Sequence, residues 1–277
     1  MKELTKVIFK NAYRRDNVNK DITAKILSAF VFVIIFGTIS SLMAFASYRL
    51  TNQLIEVDQA PAFINIILLI MIVFLFSRSV FESLNNLYFS KDLKIFLRMP
   101  IKPLQLVKSK IKNMIVSEYL MELMLLASPI IVYGIIMNVS PIFYVYSTII
   151  LLLLPIIPIV LTSLITAVIM RFTNVIKNKT QVQYITVFII FVILAIITSL
   201  FSTGEGFSAD IFTERMLQVN GLIELISDYF VILKPIMNSL LNYQELSGLI
   251  DIVIFAAESI LCYYVMTWII SKVYLKG

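Results

Sequence analysis

At 277 residues, 60% hydrophobic and only 14% charged, with a mean hydropathy of +0.93, the chain is far too apolar for a water-soluble domain, in which about 25% of residues are charged. Its net charge of +6 comes without any histidine and with a single cysteine, Cys262. That excludes histidine proton relays, zinc sites, Ser/His or Cys/His nucleophilic pairs and an internal disulfide, and too little polar chain is left over for a separate soluble nucleotide-binding or catalytic domain.

The expected fold is an all-α integral membrane protein, residues 1–277 forming one six-helix transmembrane domain with an N-terminal interfacial amphipathic helix. In residues 1–20, Leu4, Val7, Ile8 and Ala12 share one helical face and Lys2, Lys6, Lys10 and Arg14 another, the pattern of a helix lying in a membrane surface against anionic lipid. Apolar runs long enough to cross a bilayer follow at 26–46, 62–81, 114–137, 141–170, 182–201 and 249–270. The fourth is the longest and carries Pro155 and Pro158, where a kink is expected. Residues 82–112 make a cytoplasmic segment. Within it, Ser90 caps a short helix with Leu93, Phe96 and Leu97 on one face, Pro100 ends that helix, and Pro103 makes an extended corner before a second helix from Leu104 onward. Residues 202–247 form an extracellular loop whose apolar stretch around Leu222 to Leu233 predicts short interfacial or re-entrant helices broken at Pro235.

Charge sets the orientation. Twenty of the 23 Lys and Arg residues fall on one side of this layout, leaving only Arg49, Arg215 and Lys234 on the other. By the positive-inside rule both termini are cytoplasmic and the chain is a multi-pass protein of the cell membrane. Basic and aromatic residues do not interleave, so nucleic acid is not an expected partner.

The Walker A, GxGxxG and HExxH patterns are all missing, so no catalytic, cofactor-binding or metal-ligating residue is expected. The remaining polar candidates are carboxylates inside apolar runs. Glu118 and Glu122 lie four apart on one helical face, and Glu258 lies well inside the last run. Charges there must face protein or water rather than lipid. They are either residues of a translocation path or structural partners of Arg78 and the nearby lysines.

Residues 88–110 carry a further pattern: Asp92 and Leu93, the apolar Ile95, Phe96 and Leu97, then Pro100 and Ile101, then lysines ending at Lys110. The segment resembles the cytoplasmic stretch after the second helix in ABC-2 type permeases, the transmembrane subunits of bacterial ABC exporters. The resemblance implies a permease subunit of an ATP-driven exporter, without an ATPase site of its own. It would dock a separate ABC ATP-binding subunit, which holds the ATP, through Phe89, Asp92, Leu93, Phe96, Leu97 and Pro100, and pair with a second permease half. The ending at Gly277 resembles a junction to such a half, as in double-length chains of the family. Two other readings stand beside it: an ion-coupled secondary transporter using Glu118 and Glu122, and a non-transporting membrane anchor.

Overall fold

The structure, a computed structural model, describes residues 22–90, 102–172, 184 and 234–273. Among them every regular element is helical: α1 (Ile22–Glu56), α2 (Ala62–Ser83), α3 (Pro103–Glu122), α4 (Ser128–Ile136), α5 (Pro141–Leu153), α6 (Ile156–Phe172), α7 (Lys234–Leu241) and α8 (Leu246–Val273). Two π-helical turns, Leu84–Tyr88 and Leu123–Ala127, continue α2 and join α3 to α4. Helices are what the composition demands, because in hydrocarbon each backbone amide must find its partner within the segment. The expected surface helix at 1–20, the fifth apolar run at 182–201 apart from residue 184, and most of the 202–247 loop lie outside the described residues.

The helices overrun their apolar cores. α1 continues past residue 46 through Arg49 and Asn52 to Glu56, a rod of about 52 Å at 1.5 Å per residue against a hydrocarbon layer of roughly 30 Å. α3 starts at Pro103, its fixed φ suited to the first helical position, and the preceding Lys102 is extended with ψ 132°. The long fourth run is interrupted where proline requires it: α5 ends at Leu153, and α6 begins at Ile156 just after Pro155. Pro235 stands in the first turn of α7, where its missing N–H is no loss.

Two tight turns join neighbouring helices. After α1, Asp58 takes φ 56°, Gln59 N–H reaches the Leu54 carbonyl at 2.8 Å and Asp58 N–H reaches that of Ile55 at 3.1 Å. After α4, Asn138 takes φ 54° with the equivalent pair, Val139 to Gly134 and Asn138 to Ile135. Both are Schellman caps, with Asp and Asn in the left-handed place that glycine more often fills.

α6 packs between α2 and α8, α1 lies along α4, and α7 folds onto α8. Phe63, Tyr133, Phe143 and Tyr243 stack near the α1–α2 and α4–α5 turns, with Phe143 fully buried among them. A second core joins Leu87, Val107, Ile111, Met114, Val160 and Ile270 toward the opposite end. The apolar surface of α1 is left uncovered by the described helices, with Phe30, Val33 and Phe45 more than 60% exposed.

A buried charge cluster between two long helices

The polar side chains of α2 and α3 meet in the last turns of these two helices. Arg78 is four residues before Glu82 on α2, and Glu118 is four before Glu122 on α3, so each pair shares a face. Arg78 Nε donates to Glu118 Oε1 at 2.8 Å and stands 2.7 Å from Oε2. Its terminal nitrogen lies 3.6 Å from Glu82, and Glu82 in turn accepts from the Ser117 hydroxyl at 2.7 Å. The Glu118 side chain is wholly buried, whereas that of Arg78 is 29% exposed.

Glu122, one turn further, is 1% exposed, and neither of its carboxyl oxygens has a hydrogen-bond partner among the described residues. Glu258 is not part of this group: it is exposed on the outer side of α8, while its neighbour Ser259 turns inward and is fully buried. Of the residues expected to contact an ATP-binding subunit, only Phe89 is described. It is 37% exposed and closes the first π-turn with its N–H on the Leu84 carbonyl. Asp92, Leu93, Phe96, Leu97 and Pro100 lie outside the described residues.

Two sets of contacts were not anticipated from the sequence. Ser79 and Ser83 on α2 meet Thr162 and Ser163 on α6 in a buried hydroxyl ladder, with separations of 3.0 to 3.3 Å. Such contacts replace the hydrophobic force that lipid removes between membrane helices. Lys110, only 3% exposed, donates to the Asn86 carbonyl and, at 2.8 Å, to Ser90 Oγ. It ties the chain entering segment 91–101 to the helix leaving it. Lys110 stands between Ser109 and Ile111, both buried, a placement that the sequence does not signal. Lys110→Met is expected to speed amide exchange across residues 84–90 by roughly tenfold or more, reflecting about 1.5 kcal/mol of lost local stability, as read by hydrogen–deuterium exchange.

Five helical stretches, Ile26–Glu56, Ala62–Tyr88, Pro103–Ile136, Pro141–Arg171 and Leu246–Val273, are long and apolar enough to cross a membrane; the molecule is a helical membrane protein. A family model described as "Putative ATP-binding cassette" matches residues 15–277, and the chain belongs to that family. Comparison with curated proteins and with solved structures gives no match.

The family match links the chain to ABC transporter systems and corrects three expectations. The family is not the ABC-2 permease family that residues 88–110 resemble. Leucines, lysines and prolines are what any inner helix corner contains, and their order over so short a stretch is a weak discriminator. The permease-subunit function falls with that resemblance, and the carrier and anchor alternatives are not retained. The expectation of a chain without an ATPase site is also overturned, since an ATP-binding cassette family implies ATPase activity. No glycine in the sequence is followed by the lysine of a Walker A loop, so any nucleotide contact in this chain would use other groups than that loop supplies.

Proposed function

We propose that the chain is a membrane protein that works within an ABC transporter system. The observation that carries this is the pairing of a family match spanning residues 15–277 with five helices of membrane-crossing length in the same chain. In this reading it sits in the cell membrane with both termini cytoplasmic, residues 182–201 add a sixth crossing, and the uncovered apolar side of α1 meets lipid or a second membrane unit. An ATP-binding subunit docks on Phe89, Asp92, Leu93, Phe96, Leu97 and Pro100, and ATP is the nucleotide of the assembled system. Support for a docking point there is mechanical. Lys110 binds the Asn86 carbonyl and the Ser90 hydroxyl, so a push on the intervening segment passes directly into α2 and α3. Those same helices carry the Arg78, Glu82, Glu118 and Glu122 group.

The test is ATP hydrolysis by the assembly purified from membranes through a tag on this chain. ATPase activity should accompany the chain, and Phe96→Asp should lower it tenfold or more at unchanged membrane insertion, as expected for a charge placed at a central contact residue. An assembly without ATPase activity overturns the reading. Full activity in Phe96→Asp refutes the docking surface alone.

A further inference from the structure

The cluster on α2 and α3 is short of positive charge. One guanidinium, Arg78, stands against Glu82, Glu118 and Glu122, and it is already engaged with the first two. Glu122 has nothing. Its side chain is 1% exposed, and both oxygens are buried without a partner among the described residues. Among the described residues, the ionisable groups close enough to act on it are Glu118 and Tyr119. Neither is a cation, and the Tyr119 hydroxyl is already given to the Leu152 carbonyl at 2.9 Å.

An unpaired carboxylate at this depth is among the most costly arrangements a membrane helix can hold, and such residues persist when something compensates them. The compensation has to come from outside the described side chains, and burial limits its size. Among the described residues no group of three His, Cys, Asp or Glu exists that could hold a metal ion, which argues against a multiply charged ion in an acidic shell. A small single charge remains. The π-helical turn Leu123–Ala127 begins at the very next residue, and interruptions of this kind recur at functional positions in helices.

We propose that Glu122 is a binding site for a small monovalent cation, a proton or an alkali-metal ion taken from solution. The site does not depend on the ABC-system reading.

The experiment uses the full chain purified in detergent, with Glu122→Gln as the variant and Glu258→Gln, an exposed carboxylate on another helix, as the control. Thermal unfolding is followed in NaCl, KCl and LiCl against choline chloride at matched ionic strength, and infrared spectra are taken in H2O and D2O. An alkali ion in the site gives a saturable Tm rise of roughly 5 °C that Glu122→Gln abolishes. A proton in the site gives a carboxylic-acid C=O band, shifted in D2O, that Glu122→Gln removes, with no preference for any alkali ion. Glu258→Gln keeps whichever response the wild type shows. Should Glu122→Gln fail to fold, the wild-type ion series and its D2O shift decide alone. A wild type with neither ion response nor acid band, or with either one left intact by Glu122→Gln, overturns the proposal.

Discussion

Arg78→Met is expected to lower the stability of the folded chain by about 3–5 kcal/mol, the size of effect seen when one partner of a buried ion pair is removed. The loss comes from what the substitution leaves behind. Glu118 is wholly buried and its nearest cation is the Arg78 guanidinium, at 2.7 and 2.8 Å from its two oxygens. Glu82 loses the same neighbour but keeps the Ser117 hydroxyl. Glu118→Gln should cost less, because an amide oxygen still accepts from Arg78 Nε and no buried charge is stranded. The double variant should therefore be more stable than Arg78→Met alone, a coupling that a double-mutant cycle isolates. Denaturant unfolding in mixed micelles measures all three. An Arg78→Met protein within about 0.5 kcal/mol of wild type would mean that the pair behaves as a solvated surface contact.

Gly248→Ala should be nearly as damaging, at about 3 kcal/mol, through sterics alone. A Cβ built on Gly248 meets the Asn242 carbonyl oxygen inside contact distance, its carbonyl carbon at 2.7 Å and Tyr243 N at 3.2 Å. All three are backbone atoms of the turn linking α7 to α8, so relief requires the two helices to part. Gly134 makes the informative comparison. Its Cβ meets only the side chain of Tyr144, including ring carbons at 2.8 and 3.0 Å. That ring is the far end of a half-buried side chain at the edge of the core, which can shift more cheaply than backbone, so Gly134→Ala should cost about 1 kcal/mol. Equal losses at the two glycines, measured by thermal unfolding, would contradict this reading.

The parts of the fold that were legible in the sequence are those governed by backbone chemistry. Pro103, Pro141 and Pro155 lack an N–H, and the breaks fall where they stand. The apolar stretches within 26–81 form helices because hydrocarbon permits little else. The end of α1 was less visible, since Arg49 and Asn52 continue the helix through turns whose composition is polar. The two π-turns could not be foreseen: LNNLY and LMLLA contain no residue that demands one. Spacing put Glu118 and Glu122 on one face, but which of them meets Arg78 depends on how far α2 slides along α3, a matter of packing. The hydroxyl ladder at Ser79, Ser83, Thr162 and Ser163 depends likewise on the register of α2 against α6. Function was least legible, because the corner at 88–110 borrows its residues from the common stock of membrane-surface helices.

The π-turns also bear on how descent within the family would be read. Each one accommodates an extra residue relative to the α-helical turn it replaces, so every side chain beyond it is rotated by about 100° around the axis. A relative lacking the second bulge would therefore have to be aligned with a single-residue gap inside 123–127, in the middle of an unbroken apolar helix, where gaps are ordinarily rejected as errors. If that gap is refused, every position from Ser128 to Ile136 would be matched to the wrong neighbour on the helix wheel, and substitution patterns there would blur the buried stripe of Pro129, Ile130 and Tyr133 with the lipid-facing one.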